Sequence, residues 1–154
     1  MNNQTGDLHR KLDRLFKAHE IEFMKAADLG RLATIQPDGT PQVSPVGFTY
    51  NEELGTIDIS GYHMAKSQKF RNLAHHDKVA FVIDDIASRN PWRVRCLEIR
   101  GTAQQAATAS GQHGPAGDAL DSAIIRITPR RIISFGIDDT DTEPHLLKAD
   151  RRNV

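Results

Sequence analysis

Residues 66–73, KSQKFRNL, set three cations, Lys66, Lys69 and Arg71, within six positions, with Ser67 and Gln68 among them. The run follows a strand-like stretch that ends in Ser60 and Gly61. A strand, a glycine-containing loop and a helix start aim backbone N–H groups at one spot. Ser67 and Gln68 can donate to an oxyanion there, and Lys69 adds a formal charge. One reading is therefore a cradle for a phosphate-type anion. The other is a basic helix face that simply meets water. From the residues alone both stay open.

The remaining reactive side chains offer less. His75 and His76 are adjacent, so on a helix they point about 100° apart and make a poor joint metal site; cations at a helix C-terminus have a sufficient reason in the helix dipole. There is no HxxxH or CxxC pair, no phosphate-binding glycine-lysine loop and no G-x-S-x-G elbow. No metal site is expected. The single cysteine, Cys96, sits in a strand-like run and reads as a small buried hydrophobe.

The elements that must position these groups follow from periodicity. Residues 7–28 carry Leu8, Leu12, Leu15, Phe16 and Phe23 at helical spacing, with Asp7 as a cap and Gly30 as a stop. RLATI (31–35) switches to strand residues, and PDGT (37–40) is turn chemistry. QVSPVGFTY (42–50) alternates imperfectly, and Pro45 removes a ladder donor, which predicts an edge or a bulge. NEELG (51–55) turns again, and TIDIS (56–60) alternates cleanly. A short helix over 67–74 follows, with Ser67 as N-cap. KVAFVID (78–84) is an apolar strand, DDIASRNPWR (84–93) a loop and VRCLEIRGTAQ (94–104) a long strand. The Gly-, Ala- and Ser-rich stretch 107–122 reads as a surface loop. AIIRI (123–127) and IISFG (132–136) read as two strands parted by TPRR (128–131). The tail from Asp138 is polar and expected to be partly mobile.

The chain is thus mainly β with short helices: six or seven short, antiparallel strands, which a closed or partly split barrel would relieve of bare edges. Its 154 residues suit one core. Twenty basic residues balance twenty acidic ones, so neither nucleic acid nor an anionic membrane is the expected partner. No stretch nears the roughly 20 apolar residues of a membrane span, and the N-terminus lacks an apolar leader. These features point to a soluble cytoplasmic protein.

Five stretches, LGRLATIQPDGTPQVSPVGFTY, AKSQKFRNL, KVAFVIDD, NPWRVRCLEIRGTA and IRITPRRIISFGID, occur in this order. They resemble the split-barrel flavin/deazaflavin family related to pyridoxamine 5′-phosphate oxidase, most nearly its actinobacterial F420-dependent branch, which includes tetracycline-tailoring reductases. The resemblance covers residues 28–138, with 1–27 a helical leader and 139–154 a polar tail. It implies a homodimeric split barrel with cofactor grooves between subunits. The cofactor phosphate would rest on Ser67, Gln68 and Lys69. The ring would lie along Val43, Ser44, Pro45, Val46 and Ser60–Gly61, and Trp92 and Arg93 would reach in from the partner subunit. Trp92 would then wall the pocket; the competing role is an aromatic of the core or dimer interface. Where such relatives carry Lys and Asp, this chain has Gln68 and Asn72, which alters the local charge.

What the resemblance implies chemically is hydride transfer from reduced F420 to an activated double bond of a small organic substrate. The cofactor carries that chemistry, which accounts for the missing triad. Tyr62 and His63 are the local candidates for a proton donor, with solvent as the alternative. An FMN-dependent oxidoreductase on the same scaffold is the rival enzyme. A non-catalytic protein that carries a flavin, deazaflavin or heme is the rival from another class.

Overall fold

The computed structural model describes residues 15–108 and 121–154. In chain order these form α1 (Ala18–Ala26), β1 (Gly30–Ile35), β2 (Pro41–Val46), β3 (Thr49–Asn51), β4 (Thr56–Ile59), a 3-10 turn (Met64–Lys66), α2 (Gln68–Asn72), β5 (Lys78–Arg89), β6 (Trp92–Ala107), β7 (Ala123–Phe135), a second 3-10 turn (Pro144–Leu146) and β8 (Asp150–Asn153).

The strands form one antiparallel sheet in the order β2-β1-β5-β6-β7-β4-β3. Its first and last strands, β2 and β3, are neighbours in sequence, separated only by Gly47 and Phe48. Three peptide links span at most about 11 Å. The sheet must therefore curl until its two ends approach, a barrel left split between β2 and β3. Its interior is aliphatic, with Leu32, Ile57, Ile59, Leu97, Ile99 and Ile127 all buried. Phe81 joins them, set edge-on to Phe48 at 5.2 Å between centroids.

β8 uses what remains of an open edge. β6 pairs one side of β7 along nearly its whole length. The other side is shared in tandem: β4 takes Ile125–Ile127 and β8 takes Arg131–Ser134.

Several sequence expectations are corrected. The helix does not run unbroken through 15–28. Lys17 is extended (φ −74°, ψ 155°) and caps α1, its N–H donating to the Glu20 carboxylate at 2.9 Å. Residues 7–14, with the proposed Asp7 cap, lie outside the described residues. Gly30 does not end the helix; it opens β1, where any Cβ would overlap the Phe81 ring. Residues 84–93 are not a loop but the paired outer half of the β5–β6 hairpin, turning at Asn90–Pro91. Arg95 grips Asp85 across that pair (2.8 and 2.5 Å), holding together strands whose composition reads as loop. TPRR is not a turn either. β7 passes through it, because its register with β6 shifts by one between Arg100 and Gly101 and so accommodates Pro129. The tail is polar as expected, and its end is a strand, since it returns to supply β8. The stretch 109–120, most of the expected surface loop, lies outside the described residues.

Two expectations are met closely. Pro45 sits on β2, which is an edge strand. Ser67 is the N-cap of α2, its Oγ accepting from the Phe70 N–H at 3.3 Å and donating to the Met64 carbonyl at 2.7 Å.

Candidate functional site

α2 closes one end of the barrel. Phe70 O accepts from Gln105 Nε2 on β6 (2.9 Å), and Asn72, fully buried, donates to Thr34 Oγ1 on β1 and Gln42 Oε1 on β2 (3.0 and 3.2 Å). A fixed polar network thus seats the helix on three strands. It also decides what Gln68 can do. Gln68 Nε2 donates to Asn72 Oδ1 at 2.7 Å, and Gln68 Oε1 accepts from Arg71 Nη2 at 2.9 Å. Both ends of the amide are engaged, and the Ser67 hydroxyl is engaged in capping. The charge on this surface comes from Lys66, Lys69 and Arg71, none of which has a carboxylate partner among the described residues. Gln68 and Asn72, the two positions where the resemblance implies an altered charge, are in direct contact.

The approach to α2 is rigid at its base. Asp58 on β4 receives a two-pronged bond from Arg126 on β7 (2.9 and 2.8 Å), with Thr56 and Asn51 on the same carboxylate. Burial pushes that carboxyl up, but Arg126 and the other donors outweigh it and hold it below the usual range. Ser60 and Gly61 leave β4 from this anchored point. Tyr62 is exposed, and His63 is exposed with a left-handed backbone (φ 50°), which turns the chain into Met64–Lys66. His is among the residues more often seen in that region.

β2 presents two faces. Val43 (67 % exposed) and Pro45 point outward, whereas Gln42, Ser44 and Val46 point inward, Val46 into the core. Of the expected ring-lining residues of β2, Val43 and Pro45 are the ones whose side chains can meet a ring on the outer face. The Ser44 Oγ is buried without a hydrogen-bond partner. The outer edge of β2, with no neighbouring strand, leaves alternate backbone N–H and C=O groups free.

Trp92 and Arg93 lie elsewhere. They begin β6, thirteen residues before Gln105, which touches α2. In an extended strand that is roughly 40 Å. One chain sets Ser60, Gly61, Ser67, Gln68 and Lys69 at the α2 end, with β2 leading away from it through Val43, Ser44 and Pro45, whereas Trp92 and Arg93 lie at the far end of β6. Cys96, half-buried, is no nucleophile: burial, then Glu98 and Asp84, push its thiol to about 11. No cluster of three metal-ligating side chains occurs among the described residues, and none of their helices is long and apolar enough to cross a membrane.

Sequence reasoning noted Asn72 only for the altered charge; it passed over Gln42 and Thr34, and it missed the pairing of Glu20 with Arg152. That Asn72 seats the helix carries no local signal; only its burial against two other strands reveals it.

A family model described as pyridoxamine 5′-phosphate oxidase matches residues 16–136. The chain is 44% identical over 131 residues to the 5a,11a-dehydrotetracycline/5a,11a-dehydrooxytetracycline reductase of Streptomyces rimosus, covering 84% of this chain and 90% of that protein. Among solved structures it is similar to a conserved hypothetical protein of Mycobacterium tuberculosis (TM-score 0.59, 22% identity, 76% of this chain and 82% of that one). It is also similar to a FAD-binding protein of Mesorhizobium loti (TM-score 0.55, 16% identity, 76% and 92%). At these identities the structural likenesses show the fold.

Proposed function

Because the chain belongs to the pyridoxamine 5′-phosphate oxidase family, we propose that it is a reductase that uses the deazaflavin F420 to saturate an activated double bond in a small polycyclic substrate. The observation that carries this reading is the 44% identity, over most of both chains, to a dehydrotetracycline reductase. FMN is the second reading of the cofactor, favoured by the fold shared with a flavin-binding protein.

The residues present fit a phosphate-bearing ring cofactor. Lys66, Lys69 and Arg71 offer three cations with no carboxylate partner among the described residues. The open edge of β2 offers backbone donors and acceptors to the polar rim of a ring, with Val43 and Pro45 against its face. When bound, reduced F420 supplies the hydride. The chain's part is to hold the phosphate with Lys69 and its neighbours and align the ring along β2 beside Ser60–Gly61. It also admits a proton to the atom next to the one that receives the hydride. Tyr62 and His63 are the side chains at the mouth that can give this proton, and water reaches the same place.

The placing of Trp92 and Arg93 at the end of β6 away from α2 supports a homodimer in which they approach the partner's cofactor. Light scattering at micromolar concentration should return twice the chain mass. A monomer that still binds cofactor would rule the dimer out.

Lys69→Ala should weaken cofactor binding by about 1.5–3 kcal/mol, the worth of a charge-assisted hydrogen bond. His76→Ala, beyond the far end of α2, should leave it unchanged. Fluorescence titration with F420, and separately with FMN, measures both and decides the cofactor. Equal affinity of wild type and Lys69→Ala would make KSQKFRNL a solvated basic face.

Tyr62→Phe and His63→Ala should each slow single-turnover hydride transfer by less than the roughly 10²–10⁴ lost with a dedicated general acid, since both side chains are exposed and water can replace them. A larger collapse at intact cofactor affinity would identify that residue as the acid.

A further inference from the structure

At the end of the molecule away from α2, the overhanging start of β6 faces the segment that leads into β8. Between them lies a groove of about 630 Å³, lined by Trp92, Val94, Phe135, Leu147, Lys148 and Arg151, among others. That volume suits a drug-sized ligand. Trp92 is 55 % exposed, an unusual state for an indole without a partner. Its neighbours in the groove, Val94, Phe135 and Leu147, are apolar.

The charges set this groove apart from its surroundings. Of the nearby cations Arg95 is matched by Asp85, Arg152 by Glu20 and Lys17 by Asp150, while Arg93, beside Trp92, has no ion-pair partner among the described residues. Lys148 and Arg151 have no carboxylate partner among the described residues, and no carboxylate lines the groove. The outer wall, residues 144–151, lies beyond the region that matches the family model, which ends at 136. Its other wall, with Trp92, Val94 and Phe135, lies inside that region, so the groove joins the shared scaffold to a segment beyond it, a place where selectivity between members of one fold can reside.

We propose that this groove is the substrate-recognition subsite, taking a planar fused-ring molecule that bears an acidic oxygen, a carboxylate or enolate. The rings lie against Trp92 over Val94 and Phe135, and the anionic oxygen faces Lys148 and Arg151. That the ligand is the substrate rests on the reductase reading; that the groove binds this chemistry does not.

Trp92 is the only tryptophan in the chain, so its emission reports on the groove directly. The test uses cofactor-free full-length protein and two probes, the anion 3-hydroxy-2-naphthoate and the neutral 2-naphthol. Naphthoate should quench Trp92 saturably, after correction for absorbance. The double variant Lys148→Gln/Arg151→Gln should bind it at least about tenfold more weakly, as the loss of a charge-assisted hydrogen bond requires. Naphthol should bind both proteins alike, and their melting temperatures should agree. The proposal fails if naphthoate does not quench Trp92 or if the variant binds it as well as wild type. It also fails if F420 or FMN displaces the probe, which would assign the groove to the cofactor. Emission that shifts on protein dilution but not with probe would assign it to a second copy of the chain. Failure to reduce any substrate, with naphthoate binding intact, would count against the reductase reading alone.

Discussion

Arg152→Ala should cost about 3–5 kcal/mol of stability, the penalty for leaving one member of a buried ion pair behind. Glu20, in the first turn of α1, is fully buried. Its carboxylate accepts from Arg152 at 2.9 and 2.5 Å, from Ser134 Oγ at 2.8 Å and from the Lys17 N–H. Arg152 also donates to the Leu15 carbonyl. Burial pushes the Glu20 carboxyl up, but Arg152 and the other donors more than offset it and hold it below its ordinary 4.5. A depressed carboxyl stabilises the fold above its unfolded pKa, and that contribution fades as pH falls through the lower folded value. Wild type should therefore weaken in acid. In Arg152→Ala the buried carboxyl loses its cation and is pushed upward instead, so the gap between the two proteins should narrow from pH 7 towards pH 4. Urea unfolding at both pH values measures it. A gap that stays constant would mean that Arg152 contributes packing rather than charge.

Phe81→Ala should cost about 3–5 kcal/mol, the usual range for emptying a buried aromatic site. The ring is fully buried between Phe48 and the bare Cα of Gly30. That contact makes the effect of a second substitution depend on the first. Gly30→Ala should destabilise wild type, because its methyl overlaps the ring in a packed core. In Phe81→Ala the same methyl enters vacated space and should be neutral or stabilising. Thermal unfolding of the four proteins gives the coupling. Additive effects would show that the core shifts to admit both groups.

The two substitutions mark the limits of what the sequence reveals. Short-range features were legible: the Ser67 cap, the clean alternation of TIDIS and Pro45 on an edge each depend on a few adjacent residues. What failed depended on cross-strand partners. Asp85 and Arg95 look like loop charges until the hairpin register sets them side by side. Pro129 looks like a break until Gly101 proves to face a register shift. Arg152 lies 132 residues from Glu20, so nothing local marks the tail as structural. In the site, the cations of KSQKFRNL were visible as a cluster. That Gln68 turns inward to Asn72 was not, since a free and an engaged amide have the same sequence.

The tandem seating of β4 and β8 on one side of β7 also has a consequence for self-association. Strand ladders left bare act as templates for other chains, and this protein covers Arg131–Ser134 with its own last strand. A chain cut before Asp150 offers that ladder, which contains Ile132 and Ile133, to the equivalent segment of a second copy. Such a contact uses both ladders and closes on itself, so the cut chain should pair edge to edge while much of each barrel stays folded. Residues 150–153 then act as a cover against edge pairing, a role independent of anything bound in the grooves.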